Sequence, residues 1–113
     1  MKREIKFRGY HAEKGWVIGD QKWLASIYEI CDNSLIGQYT GMKDEFGKEI
    51  YEGDIVQFEI IGIDCKGEVV FLDGAWQIVY HDQMLGHRAF LYAFNGKCKI
   101  VGNTLEKDNG QQQ

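Results

Sequence analysis

With 113 residues, 44% of them hydrophobic and 27% charged, the chain supports one small hydrophobic core and has no room for a second. Its formal net charge of -4 disfavours nonspecific binding to nucleic acid, which is driven by Lys and Arg displacing phosphate counterions. No apolar run approaches the roughly 18 residues of a membrane helix, and "MKREIKFRG" carries charges where a signal peptide needs an apolar stretch, so the expectation is a cytoplasmic protein without a membrane partner.

The first predicted strand is "REIKFRG", where Ile5 and Phe7 alternate with Glu4, Lys6 and Arg8. "KGWVIGD" offers it a partner across a turn near His11 to Gly15. The next segment, "QKWLASIYEIC" from Gln21 to Cys31, reads equally as helix or extended chain.

The stretch "GQYTGMKDEFGKEIYEGDIV", Gly37 to Val56, is dense in turn residues. In "KDEFGKE" the Asp44 carboxylate is placed to accept from turn amides, and Gly47 supplies a left-handed position. Gly41 and Gly53 mark further bends, and Asp54 launches a strand with its carboxylate free to accept from a backbone amide. In that strand, "DIVQFEII", Val56, Phe58 and Ile60 alternate with Gln57 and Glu59.

Two dipeptides then predict hairpins. Asp73-Gly74 in "GEVVFLDGAWQIVY" suits a two-residue type I′ turn, setting Phe71 opposite Trp76 and Val69 opposite Ile78 on a core face, with Glu68, Val70, Gln77 and Val79 on the other. Asn95-Gly96 in "LYAFNGKCKIVG" repeats the device, setting Ala93 opposite Cys98 and Leu91 opposite Ile100. Five short strands from Asp54 to Leu105 predict a mostly β protein with a small antiparallel barrel or sandwich in its C-terminal part. The predicted organisation is one domain over residues 1–107, with a β-rich N-terminal extension to about residue 36, a barrel over about 37–107, and a frayed tail over 108–113.

The residues that carry chemistry are sparse. Cys31, Cys65 and Cys98 lie roughly thirty residues apart with no C-x-x-C spacing, which points to reduced small hydrophobes; zinc would need His11, His81 or His87 from distant segments. Asp44, Glu45, Glu49, Glu52 and Asp54 form a metal or acid-base site only if the fold makes them converge, and turn formation explains them without it. His81-Asp82 and His87-Arg88 flank the "QML" loop, but neighbours on a strand point to opposite faces. No catalytic, cofactor-binding or metal-ligating residue is therefore assigned, and the expectation is a protein that is not an enzyme.

One surface stands out. If the last hairpin forms, Phe90, Tyr92, Phe94 and Val101 crowd its outward face beside Lys97 and Lys99, more apolar surface than a wet strand carries. Homo-oligomerisation through that face is the first expectation, which makes Phe90, Tyr92, Phe94, Lys97 and Lys99 the candidate partner contacts. The alternative is a nucleic-acid-binding barrel that stacks bases on those aromatics.

"IKFRGY" with "KGWVIGD", then "GQYTGMKDEFGKEIYEGDIV", then "IVGN" resemble, in order, the segments of the YopX family of small phage and prophage proteins. The family usually continues past "VIGN" with an Ile-Tyr-Glu-Asn-Pro type ending, from which "NTLEKDNGQQQ" departs. The resemblance implies a mostly β protein with an SH3-like barrel in its C-terminal part, encoded by a phage or an integrated element. It implies no chemistry and no cofactor. With the residue reading, it points to an interaction module whose partner is a phage or host macromolecule.

Overall fold

The structure is a computed structural model that describes residues 5–11, 15–20, 36–81 and 86–104. The expectations on Gln21 to Cys31, on Asp82 within its loop and on the tail lie outside those residues. Among the described residues the regular structure is strand except for one 3₁₀ turn, and it forms two antiparallel sheets, so the protein is mostly β as expected. No described helix is long and apolar enough to cross a membrane.

The first sheet has the order β2-β1-β3-β4. Strands β1 (Lys6–His11) and β2 (Gly15–Asp20) pair as "IKFRGY" and "KGWVIGD" predict, with Gly9 opposite Val17 and Tyr10 opposite Trp16. Strand β3 (Ile36–Lys43) adds to the other edge of β1 and then pairs with the short β4 (Glu49–Tyr51) through an irregular register. The stretch from Ile36 to Tyr51 thus belongs by pairing to the sheet of the N-terminal strands.

Between β3 and β4 the chain reverses as the sequence predicts. Asp44 Oδ1 accepts from the amides of Phe46 at 2.9 Å and Lys48 at 2.8 Å, and Gly47 sits at φ +81°, where a side chain would be strained.

The second sheet has the order β8-β7-β6-β5-β9 and is curled. Strands β5 (Asp54–Ile60), β6 (Ile63–Leu72), β7 (Ala75–His81) and β8 (Gly86–Phe90) form a meander, and β9 (Lys99–Asn103) returns to the free edge of β5. The Asp73-Gly74 turn has positive φ at both residues and gives the predicted rungs, Val69 opposite Ile78 and Phe71 opposite Trp76. Alternation along these strands buries Val56, Phe58, Val69 and Ile78, which join Ile50, Leu91 and Cys98 in one core.

Two expectations are corrected. The Phe71 and Trp76 rings do meet edge to face at 5.0 Å, and Trp76, half-buried, packs against the core, but Phe71 is 52% exposed and lies outside it. The paired run of β5 on β6 ends at Ile55 opposite Glu68 and that of β8 on β7 ends at Phe90 opposite Gln77, so among the described residues no further strand flanks the Phe71–Trp76 rung.

The Asn95-Gly96 hairpin is absent. Leu91–Phe94 is a 3₁₀ turn, and β9 pairs with β5 instead of with that segment. A type I′ turn needs positive φ at both central residues, and Asn95 stands at φ -59°. Its side-chain oxygen accepts from the Lys43 amide at 3.1 Å, while Gly96 N–H donates to the Lys43 carbonyl at 2.7 Å. The loop is thereby drawn onto β3. Leu91 and Cys98 reach the core by this other path, and Ala93 is left exposed.

Candidate functional site

The carboxylates of the central stretch do not converge. Besides its two turn amides, Asp44 receives the Ile100 amide on Oδ2 at 3.3 Å, which ties the reversal to β9. Glu49 pairs with Lys6, whose ammonium holds the carboxyl below its ordinary range, and it accepts from the Tyr51 hydroxyl at 3.2 Å. Burial first, then the charge of Glu49, pushes the Tyr51 phenol up to about 12. Among the described residues no group of three His, Cys, Asp or Glu side chains is placed to hold a metal ion.

Asp54 does more than start its strand. Its Oδ2 accepts from the Tyr51 amide at 2.8 Å, and its Oδ1 receives Nη2 of Arg8, a contact between the two sheets. Burial outweighs these partners and holds the Asp54 carboxyl above its ordinary range. The Arg8 guanidinium lies against the rings of Trp16 at 4.1 Å and Tyr51 at 4.5 Å, and its buried Nε has no hydrogen-bond partner. A cleft of about 310 Å³ opens there, lined also by Lys48 and Asn103. All four segments quoted for the family resemblance therefore meet at one place, and the polar groups at its centre fasten sheet to sheet.

The candidate partner contacts are dispersed. Phe90, 62% exposed, ends β8 at one edge of the curled sheet, while Lys99 begins β9 at the other. Tyr92, 78% exposed, stands on the 3₁₀ turn, and Lys97 is exposed beyond it. Phe94 turns inward and packs on Phe58 with ring centroids 4.8 Å apart, so it presents no outward ring.

His81 and His87 do share a cleft, of about 510 Å³, with Ile60, Ile63, Asp64, Cys65, Lys66 and Tyr80. His87 stacks on Tyr80 at 5.2 Å, and Arg88 instead pairs with Asp73 at 3.0 Å. Beside this cleft lies a feature the sequence reading did not single out. Ile61 is 95% exposed at φ 48° and Ile63 is 67% exposed, on either side of Gly62 at φ 77°. The one signal for it is a glycine that interrupts the apolar run "EIIGID".

No curated protein matches the chain. The family model described as YopX protein matches residues 4–109, nearly the whole length. This chain belongs to the YopX family.

Proposed function

We propose that the chain is a non-enzymatic interaction module of a phage or prophage, working in the host cytoplasm, that associates with itself and engages a phage or host macromolecule. One observation carries this reading: Ile61, Tyr92, Ile63 and Phe90 are all more than 60% exposed, whereas the most buried carboxylates, Asp44 and Asp54, are engaged by backbone amides and Arg8. Contiguous apolar side chains left in water mark contact surfaces, and here Ile61 and Ile63 flank one hairpin turn while Phe90 and Tyr92 lie two residues apart at the end of β8. The return of β9 to β5 after a 3₁₀ turn agrees with an SH3-like barrel, a scaffold that serves many unrelated functions and therefore assigns none.

Light scattering on the purified chain at micromolar concentration tests the self-association, and a monomer would sink it. The nucleic-acid alternative rests on Phe90 and Tyr92 with Lys97 and Lys99. It predicts binding of a single-stranded oligonucleotide that weakens steeply as salt is raised. No binding at low salt removes that alternative.

A further inference from the structure

We propose that the cleft at Arg8, where the two sheets meet, binds a small organic anion: its oxyanion head, a carboxylate or phosphate, meets Arg8 and Lys48, and its apolar body lies along Trp16 and Ile18. This goes beyond the reading of the protein as an interaction module and does not rest on self-association.

Both sheets contribute to the lining. The register of β1 on β2 sets Arg8 opposite Ile18, and strand alternation puts Trp16 on the same face. Tyr51 closes β4, Asp54 opens β5 and Gly102 lies in β9, and all of these border the cleft of about 310 Å³. Pockets for small molecules begin at about that volume.

Arg8 is held in place by fewer bonds than it can make. Its guanidinium lies against the rings of Trp16 and Tyr51 and gives Nη2 to Asp54. A guanidinium carries several further N–H donors in one rigid plane. Nε is buried without a partner, whereas Nη1, which makes no hydrogen bond among the described residues either, is not sealed from the surface. A planar cation fixed by stacking and by one ion pair, with a donor still open, is preorganised to take a second oxyanion.

The charges around the cleft choose the same ligand. Arg8, Lys48, Glu49 and Asp54 all line it. Asp54 is answered by Arg8 and the Tyr51 amide, and Glu49 by Lys6 and the Tyr51 hydroxyl. Lys48 is exposed and has no ion-pair partner among the described residues, so the charge left over in the lining is positive. The remaining wall is apolar: Ile18 is 57% exposed there beside Trp16. An apolar wall with a few convergent polar groups suits an organic anion, whereas a bare inorganic ion would leave that wall wet.

Nuclear magnetic resonance on the isotope-labelled full chain tests this, with benzoate and phenyl phosphate as probes, benzyl alcohol as the uncharged body and inorganic phosphate as the bare head. At millimolar concentration benzoate or phenyl phosphate shifts the Arg8 Nε–H resonance saturably and leaves that of Arg88, which is paired with Asp73, in place. The tighter of the two acids identifies the head as carboxylate or phosphate. Lys48→Ala weakens binding about tenfold. Ile18→Glu, which sets a carboxylate of the chain itself opposite Arg8, abolishes it. Both substitutions fall on exposed positions, so both variants keep a cooperative thermal melt. An Arg8 resonance that neither acid moves overturns the site, as does an equal response to benzyl alcohol or an unchanged affinity in Lys48→Ala. Inorganic phosphate bound as tightly as both acids would make this an adventitious ion only, and would overturn the organic ligand.

Discussion

Arg8 of β1 and Asp54 of β5 lie 46 positions apart in the chain and form a buried ion pair that joins the two sheets. The side chains are 10% and 2% exposed, so neither charge is solvated without the other. Removing one partner of such a pair strands a buried charge and costs about 3–5 kcal/mol, whereas removing both does not. Arg8→Met is therefore expected to lower stability by that amount, and Arg8→Met with Asp54→Asn to lower it by less, since Asn keeps an oxygen for the Tyr51 amide. Urea unfolding of Arg8→Met, Asp54→Asn and the double variant checks this. Additive losses would mean that the pair is not coupled.

Asp44 holds three backbone amides, those of Phe46, Lys48 and Ile100, and is 4% exposed. Each buried donor left without an acceptor costs about 1–3 kcal/mol. Asp44→Ala is expected to cost roughly 2 kcal/mol or more, and Asp44→Asn less, because the amide retains one acceptor. Added calcium or magnesium leaves the wild-type melting temperature unchanged on this account, because the carboxylate oxygens are already occupied. A rise on adding either cation would return Asp44 to the class of metal ligands.

How much of this was legible depended on whether the deciding contact was local. Asp73-Gly74 needs only its own two residues to make a type I′ turn, so the rungs of β6 on β7 followed from the dipeptide. Asn95-Gly96 has the same local preference, but Asn95 is bonded to Lys43, 52 positions away, and the hairpin is lost to a contact that no window around Asn95 contains. Asp44 and Gly47 were readable for the same reason as Asp73. Arg8 and Asp54 were not, since nothing in either segment specifies the other. Ile61 hid for the opposite reason: a β-branched residue is a poor candidate for positive φ, so the turn it makes with Gly62 went against local preference.

Phe71 and Ile78 face the same side of the β6-β7 ladder but differ in cover, with Phe71 52% exposed and Ile78 fully buried. Their substitutions should separate accordingly. Ile78→Ala removes packed core and is expected to cost about 2–5 kcal/mol. Phe71→Ala gives up mainly its edge contact with Trp76, on the order of 1 kcal/mol. Equal losses, measured by chemical denaturation, would place the end of the hairpin inside the core after all.

The last prediction concerns alkaline pH. Burial disfavours the Cys98 thiolate and raises the thiol from its ordinary 9.0 to about 11, and burial likewise lifts the Tyr51 phenol from 10.0 to about 12. Each is an acid whose pKa is higher folded than unfolded, so above 9.0 the unfolded chain releases its protons first. The stabilisation these groups give as neutral side chains is whole below 9.0 and falls as pH rises through about 11 for Cys98, then through about 12 for Tyr51. For Cys98 the loss is on the order of 2 kcal/mol. Cys98→Ala leaves a small cavity and lowers stability at every pH, but it has no proton to lose, so its decline between pH 8 and pH 11 should be shallower than that of wild type. Urea midpoints of both proteins at those two values decide it. Parallel declines would show that Cys98 titrates alike in the folded and unfolded chain, and would remove it from the sealed core beside Val56 and Ile78.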